Sequence, residues 1–217
     1  MNAAEKTIYN DNSFDRLFIA LLVGKMSAAL GKKTQLKGYE GFVDLSQQIV
    51  RGRTPQEQQD LVAAILQSLV PERLLAIVRA VFSPTQLVCE LNAWFGATFF
   101  QWLVGPCKRI EVEVPAENES TRTQKSGVRI EKCRYLENSG CTGMCVNMCK
   151  LPTQNFFTQK FGIPLTMVPN FEDLSCEMIF GQTPPPWTED PAYHQPCLAD
   201  MGSVGDQQAQ PCPKISR

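Results

Sequence analysis

The stretch G-P-C-K-R-I-E-V-E-V-P, Gly105 to Pro115, is where the chain changes period. Ile110, Val112 and Val114 alternate with Glu111 and Glu113. That two-residue repeat predicts a strand with one face to solvent. Ala116 to Gly127 reads as a polar loop, and Val128, Ile130 and Lys132 as the returning strand of a β-hairpin that ends at Cys133.

Upstream of Gly105 the pattern is helical. Ser13 is positioned to cap a helix with Phe14, Leu17, Phe18, Leu21 and Leu22 on one face. A second amphipathic stretch runs from Tyr39 to Val50, and Pro71 opens a helix ending near Phe82. Thr54-Pro55-Gln56-Glu57 combines a cap, a proline at the first helical position and the acid of a capping box. Ser83-Pro84-Thr85-Gln86 repeats that grammar with glutamine. The last helical segment holds the aromatic run Trp94 to Leu103. It reads either as a buried core helix, or as a groove for a long apolar ligand or a membrane-facing patch.

Downstream of the hairpin the cysteines concentrate. Seven of nine lie between Cys133 and Cys212. Cys141, Cys145 and Cys149 are spaced four apart, which on a helix puts three thiols on one face. Thiolate stripes bind soft metals, so the run points to an iron–sulfur or zinc site. Along a straight helix, however, Cys141 and Cys149 are about 12 Å apart, too far to share one site. Either Gly143 marks a loop-to-helix transition that lets Cys141 fold back, or two cysteines ligate and the third packs. The remaining ligands then come from Cys133, Cys176, Cys197 or Cys212. Cys89 reads as a small buried hydrophobe. Thr153 reads as the cap of a further helix through Phe161, stopped by Gly162 and Pro164. From Thr183 onward the chain holds seven of its 15 prolines, which predicts an irregular tail tied down through Cys197 and Cys212.

The expected fold is mainly α within the α+β class. One domain spans 1–217, with a helical bundle over 12–104, a hairpin and cysteine helix over 105–182, and the tail over 183–217.

Composition excludes several functions. With 217 residues and a net charge of −1, nothing favours a nucleic-acid partner. The longest apolar run, Leu17 to Val23, is too short to span a membrane. The N-terminus has the pattern of neither a secretory signal nor a transit peptide, so a bacterial cytosolic or trimmed organellar protein is expected. The odd cysteine count argues for reduced thiols or metal ligands. The single histidine, His194, rules out two-histidine iron and three-histidine zinc sites within one chain. Iron would take cysteine sulfur, or arrive as haem with a cysteine or His194 as axial ligand. Asp173 and Glu177 beside Cys176 disfavour a nucleophilic thiolate there. No glycine-rich nucleotide loop is present.

Longer motifs carry a resemblance. C-R-Y-L-E-N-S-G-C-T-G-M-C-V-N-M-C-K-L-P-T-Q (Cys133 to Gln154) and P-N-F-E-D-L-S-C-E-M-I-F-G-Q-T-P-P (Pro169 to Pro185) resemble the plant dwarf-type β-carotene isomerase family of strigolactone biosynthesis. W-L-V-G-P-C (Trp102 to Cys107) and Q-P-C (Gln195 to Cys197) also fit. The resemblance implies an iron-dependent enzyme that interconverts all-trans- and 9-cis-β-carotene, in plastids or near cyanobacterial thylakoids. The histidine count directs the iron towards an iron–sulfur cluster, [4Fe–4S], with transient one-electron exchange easing rotation of a double bond. Trp94, Phe95, Phe99, Trp102, Met144 and Met148 are the expected lining of a carotenoid channel, with peripheral membrane contact. Nothing in the sequence sets an oligomeric state. The other readings are a non-catalytic iron–sulfur electron carrier or sensor, and a zinc-stabilised carotenoid-binding protein.

Overall fold

The computed structural model describes residues 7–81, 83–116, 120–198 and Ile215. Helices come first: α1 (Ser13–Leu30), α2 (Gly38–Val50), α3 (Pro55–Leu69), α4 (Glu72–Val81), α5 (Gln86–Phe99) and the short α6 (Gln101–Val104). Strands β1 (Cys107–Pro115) and β2 (Thr121–Ile130) follow, then α7 (Arg134–Ser139). A helix α8 is built from Thr142–Met144, Cys145–Lys150, Leu151–Asn155 and Phe156–Phe161 in succession. Strands β3 (Leu165–Pro169) and β4 (Cys176–Phe180) complete the sheet, and a single 3₁₀ turn, Pro191–His194, lies in the tail.

Local chemistry explains most boundaries. The Thr54–Glu57 capping box forms as the sequence predicts, with Thr54 N–H donating to Glu57 at 2.7 Å. At α1 the cap is Asn12 rather than Ser13, because Asn12 and Asp15 complete a reciprocal box. At α5 it is Thr85 rather than Ser83, the hydroxyl accepting from Val88 N–H. Gly162, left-handed at φ 73°, ends α8. Thr153 caps nothing: it lies inside α8, whose backbone continues through Pro152. Leu151 N–H bonds Val146 C=O five residues back, and that widened π-turn accommodates a proline with no N–H to donate.

The hairpin is half of a larger sheet. Four antiparallel strands lie in the order β1-β2-β4-β3. β2 begins at Thr121, not Val128, so most of the expected loop is strand, and Lys132 falls outside it. A register break between Ile110 and Val112 bends β1 across Gly127. A Cβ at Gly127 would stand 2.6 Å from side-chain carbons of both residues, so the crossing requires glycine. β3 and β4 went unread because each is only five residues long, although Leu165/Met167 and Cys176/Met178/Phe180 alternate.

α5 lies on β2, with Cys89, Ala93 and Ala97 turned to the core. α1, α2 and α3 pack on one another, and α3 also meets α8. Arg134 knits these layers together. It bonds both Asp11 carboxylate oxygens at 2.5 and 2.9 Å and Trp102 C=O at 3.0 Å, and its guanidinium lies 3.8 Å from the Tyr39 ring centroid.

Candidate functional site

Four thiols from three separate elements line one enclosed cavity: Cys133, Cys145, Cys149 and Cys176. Val104, Ile130, Tyr135, Leu136, Met167 and Pro169 surround them, with Lys150. The cavity measures about 10 Å³, room for roughly one water.

Each thiol is placed by a backbone device. Cys133 starts α7, and its N–H donates to Leu174 C=O at 2.7 Å. Leu174 has φ 62°, a left-handed conformation uncommon for a residue with a side chain. It is held by a turn in which Asn170 N–H bonds Ser175 C=O and Ser175 N–H bonds the Asp173 carboxylate, each at 2.8 Å. The turn thereby pins the chain just before Cys176 against the chain at Cys133. Cys176 then enters β4 between Ile130 of β2 and Pro169 of β3. Cys145 and Cys149 come from the π-turn of α8, a feature that recurs at functional sites. The neighbouring Asn147 amide donates to Gln58 of α3 at 3.2 Å, which fixes the helix's rotation.

Lys150 is the group that sequence reasoning missed. It is 2% exposed, forms an ion pair with Asp190 at 2.7 Å and donates to Met167 C=O. No local pattern signals a partner forty residues away. Through this pair the tail is anchored beside the thiols.

Burial governs the electrostatics. It pushes Cys145 and Cys176 well above the ordinary thiol range, and each neighbouring thiol, if ionised, would raise them further. Burial lifts Cys149 to about 12, with Cys133 adding to the rise. Cys133 rises for the same reason. Buried neutral thiols are poor nucleophiles, so a covalent cysteine mechanism does not fit. A soft cation would displace their protons to solvent and supply the compensating charge in place of water.

The other expected ligands lie elsewhere. Cys141 is the extended residue before α8, so the three-thiol stripe is broken at Cys141 itself and not at Gly143. Cys141 and Cys197 pack on the core without lining the cavity. Cys212 lies outside the described residues. Among the described residues no three cysteine, histidine or acidic side chains stand at the spacing that holds a single ion. The donor set is therefore one of sulfur chemistry, four thiols with no histidine, but a tetrahedral single-ion site is not preformed.

The expected carotenoid lining also disperses. Met144 and Met148 are buried outside the cavity wall, and Tyr135 O–H points at Met148 sulfur. Trp102 is buried, whereas Trp94, Phe95 and Phe99 are exposed on the outer face of α5. His194 is exposed as well.

Residues 102–189 match the family described as "Beta-carotene isomerase D27-like, C-terminal". A Medicago truncatula protein named "Beta-carotene isomerase D27, chloroplastic" is 41% identical over 190 residues, 88% of this chain and 73% of that one.

The chain belongs to the β-carotene isomerase D27 family.

The Arabidopsis thaliana protein of the same name is 38% identical over 190 residues, 87% of this chain and 70% of its own length. No solved structure matches the chain significantly. All four cavity cysteines fall inside the matched family segment, as do Trp102 to Val104 of α6, the π-turn and Lys150.

Proposed function

We propose that this member of the D27 family is a carotenoid cis/trans isomerase that interconverts all-trans- and 9-cis-β-carotene in a plastid, as the names of its chloroplastic relatives suggest. The proposal extends to iron dependence, with iron in a sulfur-ligated centre, [4Fe–4S] being the form suited to four thiols and no histidine. Cys133, Cys145, Cys149 and Cys176 would hold it, the cavity having to widen from its present room for about one water. The observation that supports this reading is their convergence from α7, α8 and β4 on one cavity.

When bound, such a centre supplies reversible one-electron exchange, which lowers the bond order of a polyene with no net redox change. The chain's own residues set the conditions. Val104, Ile130, Leu136 and Met167 exclude water from the thiols. Lys150 brings a positive charge to the wall, held by Asp190 so that it cannot swing away. Tyr135, buried and with its phenol held well above its usual range by that burial, stays protonated. The cavity is too small for a polyene, which would need the lining side chains to part before it could approach the thiols.

Anaerobic reconstitution of wild type, Cys145→Ser and Cys176→Ser tests this. Iron and sulfide are measured, spectra recorded, and β-carotene isomers separated by chromatography. Wild type is expected to hold iron and interconvert the isomers, and both variants to lose iron and activity together. Variants that lose iron yet isomerise at the wild-type rate refute the metal reading. A colourless, zinc-bearing wild type refutes it too.

A further inference from the structure

Helix α5 is turned inside out for a helix facing water. Its small residues Cys89, Ala93 and Ala97 face the core, while Leu87, Leu91, Trp94, Phe95 and Phe99 face outward. Leu87 is 76% exposed and Phe95 47%. α1 does the same: Ile19 and Met26 enter the core, and Phe14, Leu17, Phe18 and Leu21 remain outside. A solvent-facing helix normally presents charge on that side. Glu90 is the one charged residue of α5, and it turns to bond Lys125 N–H at the sheet.

The two helices share one apolar face. Phe14 lies 6.4 Å from Phe99, Phe99 4.9 Å from Phe95, and Phe95 5.8 Å from Phe100, ring to ring. The face also continues inward. Trp102 of α6 lies beneath it, 6.0 Å from Phe18 and 6.4 Å from Phe100. Two residues on, Val104 lines the four-thiol cavity. Arg134 holds α6 in place through Trp102 C=O.

We propose that the α1/α5 face docks on the hydrocarbon surface of a lipid bilayer, and that α6 links that surface to the cysteine cavity. This rests on the carotenoid isomerase reading. A hydrocarbon substrate has lipid, not water, as its solvent. A face of Phe, Leu and Trp matches the boundary where acyl chains meet head groups. The route through Trp102 and Val104 gives docking a purpose: the polyene passes from lipid towards the thiols without crossing water. Among the described residues no helix is long and apolar enough to cross the membrane, so the contact is peripheral.

The test uses the full chain and phosphatidylcholine vesicles containing no carotenoid. Wild type is expected to co-sediment with them. The double variant Leu17→Glu/Leu91→Glu, at two exposed positions remote from the cavity, is expected to partition at least about tenfold less, since each buried leucine accounts for about that factor or more. Its isomerisation of detergent-dispersed β-carotene is expected to stay at the wild-type rate, and that of vesicle-borne substrate to fall. In Trp187→Phe protein the remaining emitters are Trp94 on this face and Trp102 beneath it, so quenching of tryptophan emission by brominated lipid reports insertion of the face. Wild type remaining in the supernatant, or both proteins partitioning equally, overturns the proposal. So does a variant that turns a dimer into a monomer with vesicle binding untouched, which assigns the face to a second copy. A wild type that binds vesicles but isomerises nothing in detergent refutes the functional reading and leaves the docking face supported.

Discussion

Asp190→Asn isolates one charge at the wall of the cysteine cavity. Asparagine keeps the volume and can still accept from Ala192 N–H, which bonds Asp190 Oδ1 at 3.0 Å. What it removes is the carboxylate partner of Lys150, whose ammonium then stays buried against Met167 C=O. With side chains 2% and 5% exposed, water offers the pair little help. Removing one member of a buried pair costs about 3–5 kcal/mol, because the other charge is left uncompensated. At the upper end of urea m-values, about 3 kcal/mol/M, the unfolding midpoint falls by about 1 M or more. Lys150→Met is expected to cost less than Asp190→Asn, since the Asp190 carboxylate keeps its bond from Ala192 N–H. The double variant Lys150→Met/Asp190→Asn should cost less than the sum of the two, by about 1–3 kcal/mol of coupling. Urea unfolding followed by circular dichroism measures all four proteins. An Asp190→Asn cost below about 0.5 kcal/mol, or strict additivity in the double variant, would refute the reasoning.

Two further outcomes follow from the fold. Burial works against the Glu137 carboxylate, but bonds from Lys132, from Thr7 N–H and O–H and from Tyr9 O–H hold it down from an ordinary 4.5 to about 2. Its stabilisation is therefore complete above about pH 4.5 and is lost as pH falls towards 2. Glu137→Gln should accordingly flatten the acid limb of the stability–pH curve, and an unchanged limb would contradict it. Gly127→Ala puts a Cβ 2.6 Å from Ile110 and Val112 side-chain carbons, for an expected loss of about 1–3 kcal/mol; a melting temperature equal to wild type would show that the β1 crossing is looser than described.

Local chemistry was legible from the residues alone. The Thr54–Glu57 box, the stop at Gly162 and the alternation at Ile110–Val114 are decided within a few residues, so they read correctly from the chain. The four-thiol cavity was half legible: Cys145 and Cys149 share a helix face by spacing, and Cys133 and Cys176 were two of several distant cysteines. Caps were misplaced by one residue at α1 and by two at α5, because Asn12 and Thr85 compete with neighbours of nearly equal propensity.

What the linear pattern could not contain is which side of each helix faces the rest of the molecule. On α1 the stripe Phe14, Leu17, Phe18 and Leu21 that periodicity marks as a core face stands outside, and of the aromatic residues expected in a channel Trp94, Phe95 and Phe99 stand outside while Trp102 is buried. The sequence by itself determined the helices of the first half, the start of the sheet and the family. Tertiary structure alone decided that Leu174 holds Cys133 to the Cys176 strand and that Asp190 reaches Lys150, because those contacts join residues about forty apart, and only the packed sheet and helices bring them together.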